Sequence, residues 1–330
     1  MGGEQPAGVE PGTVIDGDQT LLQVRPQSAW KRMTPRKKYN LIMGYLFISP
    51  WLVGFIGLTL IPIISIFYLG FTDYDIFTAP EFVGLKNFIK MFTDDPRYSQ
   101  SVGSTLYFAF VSVPLKLVFA LAVAMLLNTR HRLIGVYRAW FYTPSILGTS
   151  VAVAVMWREV FGSQGLVNTF LQSFGLEANI AWLGDPTFAI WTLILLVVWQ
   201  FGSPMLIFLA GLKQIPKELY ECSYIDGAKW WRRFIHITIP MLSPVIFFNL
   251  IMQMIFQLTV FTQPFIITQG GPMGTTNFYA LYLYRRAFES FQMGYGAAMA
   301  LILLLAVAVF TGIIFKSGTF WVHYETKEGK

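Results

Sequence analysis

Charge is what this sequence has least of. Asp, Glu, Lys and Arg make up 13% of its 330 residues, against the roughly 25% of a soluble domain. Cysteine is almost absent too: Cys222 stands alone, which excludes a disulfide framework within the chain and any Cys-based zinc site. The three histidines, His131, His236 and His323, lie far apart and form no ligand spacing. No Gly-rich phosphate loop with its Lys, no nucleophile elbow and no His-Glu-x-x-His is present. Nothing therefore marks an enzyme, and no cofactor or metal is expected. What fills the chain instead is apolar: 55% hydrophobic residues, 17% aromatic ones and a mean hydropathy of +0.53. The composition is that of an all-α polytopic membrane protein, with its apolar surface set against lipid.

Six apolar runs are each long enough for the ~20 residues of a bilayer crossing. They are placed at Asn40–Phe71, Ser101–Asn128, Ala139–Phe161, Thr187–Leu212, Met241–Thr268 and Gly294–Lys316. Pro50 and Pro62 are expected kink sites in the first. Residues 1–38 are polar, rich in Gly and Pro and end in a basic cluster, and read as a flexible cytoplasmic tail ahead of a six-span domain at 39–330. The first apolar run comes late, is too long for a signal peptide and has no small-residue cleavage site, so it reads as an uncleaved anchor.

A net charge of +6 would fit nucleic acid, but the basic residues sort by connection instead. The tail, the second and fourth connections and the C-terminal end hold 17 Lys and Arg, and the other connections hold 5. The positive-inside rule then places both termini and the fourth connection, 213–240, in the cytoplasm. Lys116, after Pro114 in the second run, is a lone full charge deep in a span, expected to snorkel or pair within the bundle.

The most informative stretch is Glu218–Pro240, a polar island between two long apolar runs. It reads as a short helix, a break at Gly227, a second short helix and a stop at Pro240. Pro216, Glu218 and Glu221 suit a helix start and its positive dipole end. Such an element docks on something outside the membrane, or is a bent linker of surface helices.

Its spacing resembles the cytoplasmic loop of permease subunits of bacterial ABC importers: Glu-Ala-Ala, three residues, Gly, nine residues, Ile-x-Leu-Pro. Here Glu221-Cys222-Ser223 is followed by Tyr224, Ile225, Asp226 and Gly227, and nine residues later by Ile237-Thr238-Ile239-Pro240. Cys, Ser and Ile stand where the pattern has Ala, Ala and Leu. Asp226-Gly227-Ala228 is similar to the sugar-importer branch. Phe82-Val83-Gly84-Leu85-Lys86-Asn87-Phe88 and Gly270-Gly271-Pro272 with Thr275-Thr276 resemble runs of the maltose and glycerol-phosphate type permeases, as do Arg138…Pro144 and Trp157-Arg158. The resemblance covers roughly Asn40–Phe315.

It implies a type I ABC importer permease fold in a bacterial or archaeal cytoplasmic membrane. The implied partners are a second, similar permease in a heterodimer, two ABC ATPase subunits, an extracytoplasmic solute-binding protein, membrane lipid and a sugar substrate. Glu218, Glu221, Cys222, Ser223, Asp226, Gly227 and Ala228 would couple the chain to an ATPase, the small Cys222 and Ser223 letting backbone approach closely.

Substrate contacts are sought among polar residues at membrane depth, which are costly and mark pathways. Asn249, Gln253 and Gln257 fall at i, i+4 and i+8 on one helical face, with Thr259 and Gln263 nearby. Amides donate and accept, which suits sugar hydroxyls; the competing reading is interhelical hydrogen bonding. The resemblance puts Gln253, Gln257 and Val260 on sugar-lining positions of the maltose type, where Val260 departs from an amide. Trp199-Gln200-Phe201-Gly202-Ser203-Pro204 interrupts the fourth run. Trp199, Gln200, Gly202 and Ser203 offer an aromatic platform and freed backbone, or simply a packing kink. The alternatives are a permease for a polyol or glycerophosphodiester and, from another class, a secondary transporter or channel, for which neither an inverted repeat nor buried acids are seen.

Overall fold

The computed structural model describes residues 13–15, 21–23, 34–129, 131–175 and 180–323. The chain divides into two compact units, Met1–Ile64 and Ser65–Lys330. The expected flexible tail lies mostly outside the described residues. Within it, β1 (Thr13–Ile15) and β2 (Leu21–Gln23) pair antiparallel.

In the first unit, α1 (Pro35–Phe55) starts with Pro in its first turn and buries none of its residues. An apolar helix of this length suits a lipid-facing position. It passes through a π-helical turn, Ile56–Leu60, into α2 (Ile61–Gly70), one continuous helical run from Pro35 to Gly70. The widened turn has a local cause: Pro62 offers no N–H, and its ring would clash with a carbonyl four residues back. The Ile61 N–H donates to the Ile56 carbonyl instead, five residues back.

The second unit continues from α2 with a two-residue ladder between β3 (Thr72–Asp73) and β4 (Glu81–Phe82). The amphipathic α3 (Lys86–Thr93) follows, then α4 (Pro96–Leu126). Asp95 caps α4 by accepting from the N–H groups of Arg97 and Tyr98, with Pro96 in the first turn. Next come α5 (Ile134–Leu147), α6 (Val151–Val160) and α7 (Leu166–Ser173). The same Asp-Pro start opens α8 (Pro186–Trp199), capped by Asp185, which leads to α9 (Gly202–Gln214). The chain then forms α10 (Lys217–Ile225), α11 (Trp230–Arg233), α12 (Ile239–Leu258), α13 (Thr262–Ile267), α14 (Tyr279–Tyr284) and α15 (Met293–Trp321).

Four helical runs among the described residues are long and apolar enough to cross a membrane: Pro35–Gly70, Pro96–Leu126, Trp230–Ile267 and Met293–Trp321. Two further pairs reach that length only as bent units, α5 with α6 at 94° and α8 with α9 at 42°. The third and fourth apolar runs are therefore broken helices, not continuous ones. The fifth also differs from expectation. Pro240 does not stop the second loop helix; a π-helical turn at Phe234–Thr238 carries α11 into α12. The Ile239 N–H donates to the Phe234 carbonyl, the device used before Pro62.

The main core lies between α4, α9 and α12. Ala109, Ala120 and Ala124 present small faces to Met205, Phe208, Leu242 and Met254. A Cβ on Gly211 would stand 2.8 Å from Val245, so α9 and α12 touch almost backbone to side chain. Close approach through small residues is how helices gain contact where lipid removes the hydrophobic drive. A second cluster joins α8 to Phe108, Val153, Ile267 and Phe278. A third, at the end holding α3 and the start of α4, is built from Met91, Tyr98, Tyr279, Tyr282, Tyr295 and Met299.

Candidate functional site

Three helix interruptions of the second unit meet at one place. Thr149 in the α5–α6 break and Ser145 just before it, Gln200 in the α8–α9 break and Ser203 just after it, and Thr259, Val260 and Phe261 in the α12–α13 break with Thr262 at the start of α13 come together there. With Gln253, Phe256, Gln257 and Gln263 they line a cavity of about 420 Å³, to which α4 adds Lys116 and α8 Val197. That size is in the range of small-molecule sites, ~300–1,000 Å³. Non-helical backbone at membrane depth persists where it lines such a cavity.

The breaks are locked to one another. Ser145 Oγ donates to the Gln200 carbonyl at 2.9 Å and accepts from the Ser203 N–H at 2.9 Å. Gln200 Nε2 donates to the Gly148 carbonyl at 2.9 Å. Two backbone groups at the α8–α9 break, the Gln200 carbonyl and the Ser203 N–H, are thus satisfied by Ser145 of α5. Glycine is required on both sides: a Cβ at Gly148 would lie 2.4 Å from Gln200, and one at Gly202 2.6 Å from the Phe141 carbonyl.

Of the substrate residues expected from the sequence, Gln200, Ser203, Gln253 and Gln257 come together in this cavity, along with Thr259, Val260 and Gln263. Three do not reach it. Trp199 turns to the other side of α8, where its ring lies 5.8 Å from that of Trp157. Gly202 serves the packing of α9 on α5. Asn249 shares the buried face of Gln253 and Gln257 but is wholly enclosed, and neither amide atom has a partner among the described residues. The aromatic rings at the cavity are Phe256 and Phe261, not Trp199.

Lys116, Ser145 and Thr149 also line the cavity, beyond the residues the sequence points to. The signal was present for two of them: Pro144-Ser145 and Gly148-Thr149-Ser150 interrupt the third apolar run as Gly202-Ser203-Pro204 interrupts the fourth. Lys116 lies ten residues before the end of α4, about 15 Å along the axis, too far for its stem to snorkel out.

The second feature is the link between α9 and α12. Helix α10 ends through Gly227, whose φ of 68° is the left-handed conformation that favours glycine. The Gly227 N–H donates to the Tyr224 carbonyl at 3.0 Å and the Ala228 N–H to the Ser223 carbonyl at 2.9 Å, closing the turn. Glu218, Glu221, Cys222, Asp226 and Gly227 are exposed, and Ala228 is half-buried. Ser223 turns inward, its Oγ donating to the Tyr220 carbonyl; only Cys222 of the small pair is on the open face. The Tyr220 hydroxyl lies 3.0 Å from that of Thr238 and ties α10 to the π-helical turn at the foot of α12. Leu219, Tyr224, Ile225, Trp230 and Trp231 leave an exposed apolar surface around Gly227.

Comparison with known proteins agrees with this layout. The family described as binding-protein-dependent transport system inner membrane component matches residues 96–316, which carry both features. The probable ABC transporter permease protein YesP of Bacillus subtilis (strain 168) is 50% identical over 302 residues, 91% of this chain and 97% of its own. The trehalose/maltose transport system permease protein MalF of Thermococcus litoralis is 34% identical over 296 residues, 87% of this chain and 98% of its own. A chain from the crystal structure of a bacterial ABC transporter involved in the import of the acidic polysaccharide alginate superposes with a TM-score of 0.76. The match covers 89% of this chain and 99% of that one at 20% identity, a likeness of fold. With most of its length, its broken helices and its α9–α12 link inside the matched region, this chain belongs to the binding-protein-dependent transport system inner membrane components, the permeases of ABC transporters, and is a transport subunit rather than an enzyme.

Proposed function

We propose that this chain is one of two permease subunits of an ATP-driven importer that takes up a sugar or oligosaccharide delivered by an extracytoplasmic binding protein. The observation that carries the reading is the convergence of three broken helices on one amide-lined cavity, with α10 and Gly227 joining two of those helices directly. Six spans follow if each bent pair crosses once, with both termini in the cytoplasm by the distribution of Lys and Arg. The sugar assignment rests on amide and hydroxyl groups beside Phe256 and Phe261, a mixture that suits the polar rim and apolar face of a pyranose. It is supported by relatives such as the trehalose/maltose permease.

Coupling follows from connectivity. Two ATPase subunits close on ATP. One receives the exposed face of α10, with Glu218, Glu221, Cys222 and Asp226 around the Gly227 turn. Displacing α10 moves α9 from one end and α12, through Tyr220 and Thr238, from the other. Both helices border the cavity, so its opening changes with the nucleotide state, which is the differential contact that coupling requires.

The test uses the single cysteine, which is exposed. Cys222 in the assembled importer is labelled with a photoactivatable thiol reagent and irradiated. An adduct to an ATPase subunit, identified by mass spectrometry and altered in yield by ATP, is expected. Efficient labelling with no adduct places Cys222 in solvent and removes the docking role.

A further inference from the structure

Lys116 is 6% exposed, lies ten residues inside the C-terminal end of α4 and lines the cavity. It makes no ion pair or hydrogen bond among the described residues. No Asp or Glu is among the residues lining the cavity; every other polar group there is an amide or a hydroxyl. A charge at the centre of a transmembrane helix costs about 2.5–3.5 kcal/mol on insertion scales. A buried charge is normally matched by an opposite one. Among the described residues no opposite charge matches it, and Lys116 lines a space large enough for a small solute.

We propose that the cavity selects a saccharide bearing a single negative charge, a uronic-acid-type carboxylate, and that Lys116 is the residue that reads it. The inference rests on the sugar-importer reading and adds the substrate's charge. Lysine is a compact point charge with three donors, suited to a single negative charge such as one carboxylate; a phosphodiester also carries one charge, and the glycerophosphodiester probe separates the two. The amides of Gln200, Gln253 and Gln257 remain for hydroxyls, and Phe256 and Phe261 for the apolar face of a ring. Lys116 is thus a specificity residue that touches substrate.

The experiment is uptake by the complete importer with its own binding protein. The probes are a panel of radiolabelled neutral di- and trisaccharides, the uronic acid counterparts with the same linkages, and one glycerophosphodiester. Wild type is expected to take up a uronate-bearing member in preference to its neutral counterpart. In Lys116→Met the KM for that member, per complex in the membrane, rises about ten- to a hundred-fold, the loss of one charge-assisted contact. Lys116→Arg restores most of it, and Lys116→Gln repeats the loss if the Met variant fails to assemble. Uptake of neutral saccharides alone overturns the charge assignment and leaves the sugar reading standing. Uptake of the glycerophosphodiester alone, or of nothing in the panel, overturns both. Uronate uptake with an unchanged KM in the Met and Gln variants removes Lys116 from the role.

Discussion

Two buried charges in this protein have opposite surroundings. Asp95, at the start of α4, has its Oδ2 within 3.0 Å of Arg286 and 2.7 Å of the Tyr295 hydroxyl, and also accepts from Tyr282. Its Oδ1 caps the helix. Burial disfavours the Asp95 carboxylate, but the Tyr282 and Tyr295 hydroxyls and the Arg286 charge outweigh it and hold its carboxyl below the usual range. Lys116, twenty-one residues along the same helix, has no such partner among the described residues. A fully satisfied charge fixes geometry, here tying α4 to α14 and α15. An unsatisfied one beside a cavity keeps its interaction for a ligand. The same helix is a structural post at one end and a binding surface toward the other.

Removing the anchor of the first cluster has the largest expected effect. Asp95→Ala leaves Arg286 and two tyrosine hydroxyls without their acceptor and uncaps α4, so thermal unfolding of the purified complex should show about 3 kcal/mol of lost stability. A loss below about 1 kcal/mol would make the cluster a surface ion pair in effect. The Asp95 contribution also has a pH signature. Because its folded pKa is depressed below 3.8, the contribution is fully present above the unfolded value and fades as pH falls below it through the folded one. Stability of wild type should thus decline below about pH 4, and Asp95→Asn should flatten that part of the curve.

At the cavity, the cost should fall on transport. Gly202→Val puts side-chain atoms where the Phe141 carbonyl stands, and overpacking of about 1–3 kcal/mol should separate α9 from α5. Uptake is expected to fall with stability, and an unchanged melting curve would show that the break has room to spare. Gln257→Leu should reduce uptake about tenfold, one hydrogen-bonded contact's worth, with the melting temperature nearly unchanged. A clear drop in stability would assign Gln257 to interhelical bonding instead. The smallest effect belongs to Asn249, whose amide atoms are buried without partners among the described residues. Asn249→Leu should be neutral or stabilising by up to about 1 kcal/mol, with uptake retained; lost uptake would extend the site one turn further along α12.

Much of this was legible in the sequence because periodicity reports which residues share a face. Asn249, Gln253 and Gln257 are four apart, and all three are buried on one side of α12. Gly227 was readable as a break because the pattern passes from one short helix to another across it, and its φ is 68°. Periodicity does not report where a face points. Trp199 and Gln200 are adjacent, and about 100° of helix rotation sends one to Trp157 and the other to the cavity. Pro240 was misread as a stop because proline excludes one hydrogen-bond pattern, while the chain had a wider turn in reserve. The tie between α10 and the foot of α12 depends on Tyr220 and Thr238, eighteen residues apart at the two ends of the link.

The class of solvent, the helical runs and the polar link between the fourth and fifth of them can be read from residue order alone, because hydrophobicity, helix period and glycine–proline punctuation are local properties. The same order settles the family, through runs of residues that keep their spacing. That three separate helix breaks meet, that Ser145 and Gln200 lock two of them, and that Lys116 lines the space between them emerges only from the packed fold. Each of those depends on the rotation and crossing of helices far apart in the chain, set by close packing at Gly202, Gly211 and the alanines of α4, and no local rule carries that information.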